Sequence, residues 1–371
     1  MNLLSWIVDL RQLWVLLFGV CFLVSLLRMP NYERNQLVVC PPSAAIFLWL
    51  VAAILAIALT PEEALRGDKL NYTNSFYAIA YGLSDWKDAS RDVLFYGWIR
   101  LVSLFSTNPT IFFLLTATVY VGGIAIALMR IERRYWTVMM IATVFGIGFF
   151  ANGDNILRAG MAYSILLVGV SFFPTQKIVA ILLAAVAFNI HNSMIIPISA
   201  LVISCFYKNT KIIFAGWLIL LAISIVFGNT TQTVLARFFE DAEDQRLTSY
   251  ALGQHSDYKQ GFRIDFLIYS FVPIALGLYY RFQKHFNDSF YVWVFNAYIV
   301  ANGFWLLMIR AKFTDRFAYL SWGLMPIVLF YPLLKSRILA NQHFYIFGGL
   351  FLILLLTLIL ASRRLFEFLY Q

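Results

Sequence analysis

The chain has 371 residues, 61% of them hydrophobic, 18% aromatic and only 13% charged, with a formal net charge of +9. A soluble chain of this length is about half apolar and about a quarter charged, so too little polar surface is present to cover a water-exposed globule, and a mean hydropathy of +0.76 fits a polytopic membrane protein. The aromatic content excludes a disordered chain, and the basic balance, which in a soluble protein would suggest nucleic acid, first signifies cytoplasmic loops here; no nucleic-acid partner is expected.

The first 27 residues lack a basic n-region and an A-x-A cleavage site, so the apolar run from Leu13 to Leu27 reads as a retained helix. Cys21, Cys40 and Cys205 are isolated and lie at or near apolar segments, which predicts packing residues rather than disulfides or zinc ligands.

A helix needs about 20 mostly apolar residues to cross the hydrocarbon core. On that basis spans are expected near 6–27, 43–60, 109–129, 136–151, 159–173, 178–190, 193–207, 212–228, 264–280, 290–309, 317–334 and 344–361. The expected fold is thus all-α and polytopic, with about 12 transmembrane helices in a single integral domain covering residues 1–371. The pair around His191 could instead be one broken element.

The short loops 28–42, 130–135, 174–177, 208–211, 281–289 and 335–343 hold 12 Lys or Arg and 3 acidic residues, the whole of the +9. They fall on one side, which is therefore cytoplasmic. The rest of the chain is electrically neutral, and the opposite side carries two long segments, 61–108 and 229–263. In the first, the amphipathic run from Asp92 to Ser106 predicts an in-plane interfacial helix. Before it, Asn71 to Leu83 suits a short helix at headgroup depth.

No P-loop, G-x-S-x-G, H-E-x-x-H or CxxC is present, which argues against an ATPase, a serine hydrolase and a zinc protease. What remains are ionisable residues at outer helix ends. Arg158 opens the fifth span, beside Ala159, Gly160 and Ala162. A cation at the positive end of a helix dipole needs an answering anion or acid. A diphosphate is one such anion; a snorkelling Arg paired with Asp154 is the plain alternative. Asp315 and Arg316 open the eleventh span in the same way, after Arg310 and Lys312. The long loop adds Arg237, Arg246, His255, Lys259 and Arg263. These clusters could converge on one polyanionic group, or stand as rim charges neutralised by Glu240, Asp241, Glu243 and Asp244. His191 lies in an outer turn beside Asn189, Asn192 and Ser193, where polar groups need an aqueous or protein partner.

In this order the segments resemble the EpsG-like and Wzy-type polysaccharide polymerases, among them the O-antigen polymerases. The resemblance rests on GDKLNY (Gly67, Asp68, Tyr72), RDVLFYGWI (Asp92, Phe95), NILRAGMAYSI (Arg158), FNIHNSMIIP (His191), RLTSY (Arg246, Tyr250) and DRFAYL (Arg316, Tyr319). It covers about residues 61–334. Ala159 and Gly160 replace the Gln commoner after Arg158, and Asn192 follows His191 where a Lys or another polar residue is common; both departures leave the charged member in place.

The resemblance implies a GT-C-like fold in the bacterial inner membrane with its active face periplasmic. It implies a glycosyltransferase that transfers a growing glycan from undecaprenyl diphosphate to a new lipid-linked repeat unit, with no cofactor and no metal. Partners would be the undecaprenyl-diphosphate-linked oligosaccharide, membrane lipid and a chain-length regulator protein. Arg158, Arg246 and Arg316 are the candidate diphosphate ligands, with Arg237 and Arg263 behind them. His255, His191, Asp68 and Asp92 are all admissible as base; His255 is preferred because a long outer loop can fold over the site. Tyr72, Tyr77, Tyr250 and Tyr319 are candidate sugar-binding residues, and Asp68 and Asp92 could instead orient sugar hydroxyls. The competing classes are a transporter or flippase of lipid-linked or anionic solutes, which would show midplane charges and broken midplane helices, and another lipid-linked glycosyl- or acyltransferase.

Overall fold

The computed structural model describes residues 3–59, 67–88, 91–240, 261–311 and 313–369, and among the described residues the regular structure is helical, without strands. The chain packs as two compact units, Met1–Met194 with Leu333–Gln371, and Ile195–Pro332.

The first unit contains α1 (Leu3–Leu26), α2 (Ser43–Ala58), α3 (Gly67–Ala80), α4 (Val93–Ser103), α5 (Pro109–Ile131), α6 (Trp136–Phe145), α7 (Gly148–Phe150), α8 (Leu157–Phe172) and α9 (Lys177–Ile190). α5 starts where the sequence supplies both start signals: Asn108 accepts from the Thr110 N–H at 2.8 Å, and Pro109 occupies the first position, where a missing N–H costs nothing. α5 lies at the centre, packed against α2 and α8. Gly123 lets α5 approach α8 until its backbone meets Ser164, whose Oγ a Cβ at Gly123 would touch at 3.0 Å. Small residues serve this purpose between membrane helices, where lipid offers no hydrophobic drive to association. α8 and α9 are successive helices in close contact, joined by the short loop 173–176.

The second unit contains α10 (Ile195–Phe206), α11 (Thr210–Glu240), kinked at Phe227, α12 (Ile264–Leu278), α13 (Ser289–Leu307) and α14 (Thr314–Trp322). α15 (Met325–Lys335) begins in it and ends in the first unit, to which α16 (Gln342–Leu369) also belongs. Buried polar pairs tie its helices together: Trp217 Nε1 donates to Asn302 Oδ1 at 2.9 Å, Asn302 Nδ2 to Ser321 Oγ at 3.2 Å, and Trp322 Nε1 to Ser270 Oγ at 2.6 Å. Such bonds hold membrane helices in register.

All twelve apolar segments expected from sequence carry helix. Among the described residues, however, only six stretches are long and apolar enough to cross a membrane: Pro109–Ile131, Thr210–Gly228, Ile264–Gln283, Ser289–Leu307, Thr314–Lys335 and Gln342–Ile359. Trp136–Phe145 with Gly148–Asn155, bent by 84°, makes a seventh if the pair is one span. The apolar helices Ser43–Ala58, Val93–Ser103, Leu157–Phe172, Lys177–Ile190 and Asn192–Phe206 are shorter. Lys177–Ile190, with 14 residues, rises about 21 Å against a hydrocarbon core of about 30 Å. Among the described residues apolar length therefore accounts for six or seven of the twelve expected spans. α9 exposes Ile178, Ile181, Leu182 and Val186, and α11 exposes Ile212, Leu218 and Ile219, which suits lipid contact.

Two shorter helices lie within the first long segment. α3 matches the Tyr-rich stretch, and α4 the amphipathic run, burying Phe95, Ile99 and Val102 while Leu94 and Leu101 stay exposed.

Candidate functional site

The site lies at one end of the α8–α9 pair. Arg158 is the second residue of α8, and His191 caps the end of α9. Because the chain runs up α8, turns within 173–176 and returns along α9, these two residues come to the same end. Asp92 joins them from α4, which packs on both α9 and α3.

Asp92 caps α4 in the left-handed region, at φ 55° and ψ 34°. Among non-glycine residues Asp and Asn adopt that conformation most readily. The side chain is thereby free of its own helix and reaches across to three partners. Oδ2 accepts from Arg158 Nη1 at 2.6 Å and faces His191 Nδ1 at 3.3 Å, while Oδ1 accepts the Asn192 backbone N–H at 3.0 Å. A carboxylate opposite Nδ1 places the ring proton there and leaves Nε2 as the lone-pair nitrogen. The Asp92 side chain is 7% exposed, against 17% for Arg158 and 24% for His191. Burial pushes the Asp92 carboxyl up, but the hydrogen bond and electrostatic attraction of His191, the Arg158 guanidinium and the Asn192 N–H outweigh it and hold the group below its ordinary value.

Tyr72, on α3, stands beside Arg158: its hydroxyl accepts from Nε at 3.4 Å, and the guanidinium lies 5.8 Å from the ring centroid. Tyr72 packs edge-on against Phe95 of α4, which fixes α3 beside α4.

One turn earlier on α3, Lys69 is 4% exposed and donates to Asp154 Oδ1 at 2.5 Å and to the Ile57 carbonyl at 2.6 Å, with Nζ 5.0 Å from the Phe113 ring centroid. Ile57 belongs to the last turn of α2, where carbonyls lack helical partners and a cation is favourable. Arg11 serves the neighbouring Leu59 carbonyl in the same way. Lys69 was not singled out from sequence. Its place within the GDKLNY segment was the available signal, but an isolated Lys gives no indication of burial.

Arg158 is therefore not the partner of Asp154, as proximity in sequence suggests. Residues Ala151–Asn155 form a wide π-type turn, closed by Ile156 N–H to the Ala151 carbonyl at 2.9 Å, and Asp154 projects from it to Lys69.

The remaining predicted site residues separate into three groups. Asp68 stands half-buried in the first turn of α3, and Tyr77 stacks on Tyr81 with centroids 6.0 Å apart. In the second unit, Arg263 caps α12 and forms a two-pronged pair with Asp265 at 2.9 and 2.7 Å over the Phe266 ring. Arg316 sits in the first turn of α14 over the Phe313 ring, and Tyr319 donates to Asp315 at 3.3 Å. Arg246, Tyr250 and His255, and the side chain of Arg237 on α11, lie outside the described residues. Among the described residues no group of three or more His, Cys, Asp or Glu is placed to hold a metal ion. Cys40 is half-buried in the loop before α2, and desolvation pushes its thiol up to about 11 against the smaller effects of Thr137 and Arg134.

A helical chain with long apolar spans and an ionic cluster at one end of a helix pair defines a polytopic membrane protein. The chain belongs to the EpsG family, matched over residues 45–370, a family of Wzy-type polymerase-like proteins. No curated protein and no solved structure matches it.

Proposed function

We propose that the protein polymerises undecaprenyl-diphosphate-linked oligosaccharide repeat units into O-antigen or a related surface polysaccharide at the periplasmic face of the bacterial inner membrane. The shorter apolar helices would cross where the bilayer is locally thinned, completing a twelve-segment, GT-C-like domain. Membership in the EpsG family supports the class of reaction, and the joining of Arg158, Asp92 and His191 by direct contacts is the observation that carries the assignment of a site.

In the transfer, the acceptor hydroxyl oxygen forms a bond to the anomeric carbon of the growing chain. The bond from that carbon to the diphosphate oxygen breaks, and its electron pair leaves with undecaprenyl diphosphate. Two needs follow: a base for the hydroxyl proton and positive charge for the leaving group. His191 suits the first, since Asp92 opposite Nδ1 leaves Nε2 to accept a proton and stabilises the imidazolium that results. Arg158 suits the second, with Nη1 and Nε held by Asp92 and Tyr72 and its outer N–H groups directed at phosphate oxygens. Tyr77 with Tyr81 offers an aromatic platform for sugar. Arg316, Arg263, Arg246 and Arg237 are further proposed diphosphate ligands. This arrangement uses no metal or cofactor, and product length would be set with a separate membrane regulator.

The test is the surface-glycan ladder of cells that depend on this chain. Cells producing Arg158→Ala should show a single repeat unit capped on lipid and no ladder, with normal amounts of the protein in the membrane. An unchanged ladder would remove Arg158 from the reaction.

A further inference from the structure

Two residues outside the proposed chemistry form a second charged contact beside it, and the two contacts are arranged in parallel. Lys69 and Tyr72 lie three positions apart on α3, so they share a face. Asp154 and Arg158 lie four positions apart across the start of α8. Lys69 meets Asp154 at 2.5 Å and Tyr72 meets Arg158 at 3.4 Å, making two rungs between α3 and the segment that carries Arg158.

The segment has little regular support of its own. It is a π-type turn of five residues, Ala151–Asn155, leading through Ile156, which is not helical (φ −107°, ψ 50°), into α8. Gly153 presses on the Ile57 side chain, whose Cδ1 a Cβ would meet at 2.7 Å, and Gly160 passes against the Asn152 carbonyl. Lys69 binds the turn and the end of α2 with one ammonium group, through Asp154 and the Ile57 carbonyl. The cation therefore gathers α2, α3 and the approach to Arg158 at a single point.

We infer that Lys69 and Asp154 are a positioning pair: they hold the 151–157 turn so that Arg158 meets Asp92 and the diphosphate, without touching substrate themselves. This rests on the polymerase reading for its catalytic readout but not for its structural one. A displacement of a catalytic group by about 1 Å costs about 10²-fold in turnover, which sets the expected size of the effect.

The experiment uses purified full-length protein in lipid nanodiscs with synthetic undecaprenyl-diphosphate repeat units. Lys69→Met and Asp154→Asn should each lower kcat about 10²-fold with KM for the lipid donor changed less than about threefold, because the loss falls on the transition state. Lys69→Arg, which keeps a cation and its donors, should recover most of the activity. Combined with Arg158→Ala, Lys69→Met should add no further loss, since a residue acting only through Arg158 has nothing left to act on. Normal kcat in Lys69→Met and Asp154→Asn, or full additivity with Arg158→Ala, overturns the inference. If no variant folds, as judged by size-exclusion and thermal unfolding, the pair is a folding element and positioning is also refuted. If the wild type itself does not polymerise, the functional reading fails, and the pair is judged on the structure of Lys69→Met in nanodiscs: an Arg158–Asp92 contact kept at 2.6 Å contradicts positioning, and its loss supports it.

Discussion

Arg158 Nη1 and Asp92 Oδ2 meet at 2.6 Å although 66 positions separate them in the chain. The contact brings the start of α8 onto the start of α4 and resolves an electrostatic conflict, since a guanidinium at a helix N-terminus opposes the dipole and needs a carboxylate or phosphate beside it.

For the arginines, Arg158→Ala and Arg316→Ala should each abolish long-chain glycan and leave single-unit-capped lipid and membrane insertion intact. Loss of one donor to a developing charge costs about 10² to 10³ in turnover. Gel ladders of extracted glycan, with immunoblots of the membrane fraction, check both variants.

For the base, His191→Gln should reduce the rate about 10² to 10⁴-fold, the range of general base catalysis, while His255→Gln should stay near wild type. The sequence favours His255 as a lid residue, but Asp92 gives His191 the carboxylate that a base needs for orientation. A large loss in His255→Gln with a normal His191→Gln reverses this assignment.

For Asp92, replacement by Asn leaves the Arg158 cation without its carboxylate, a buried defect costing about 3 kcal/mol. The folded Asp92 carboxyl is more acidic than its ordinary value, so its stabilisation is complete above the unfolded value of about 4 and is lost as pH falls through the lower folded value. Thermal unfolding of wild type and Asp92→Asn between pH 3 and pH 7 should therefore show the largest gap at the upper end and a shrinking gap as the solution becomes acid.

Gly160→Ala should destabilise the protein by about 1 to 3 kcal/mol, the usual cost of overpacking, because a Cβ there collides with the Asn152 carbonyl. Backbone is the obstacle, so no side-chain rotation relieves it. A lower unfolding temperature in nanodiscs together with a reduced ladder is the expected result.

The helices were legible because apolar runs are local. α3 and α4 were likewise visible as a Tyr-rich stretch and an amphipathic run. Asp92, Arg158 and His191 could each be recognised as charged residues at outer helix ends, but not as one cluster, because Asp92 and His191 are 99 positions apart and are joined only by the packing of α4 on α9. Arg158 and Asp154 were close enough in sequence to suggest a pair, yet the wide turn sends Asp154 to Lys69. Span length was less legible for a different reason: hydropathy reports how apolar a run is, whereas the crossing depends on where the helix breaks, as it does between Phe145 and Gly148.

The most direct test of the central claim is reconstitution of purified protein with synthetic undecaprenyl-diphosphate repeat units in the presence of chelator, following glycan length and released undecaprenyl diphosphate together. The wild type should give a ladder of lengthening glycans with one undecaprenyl diphosphate released for each bond formed, and Arg158→Ala should give no ladder. Unchanged lipid-linked units with the wild type, or an equal ladder from Arg158→Ala, would contradict it.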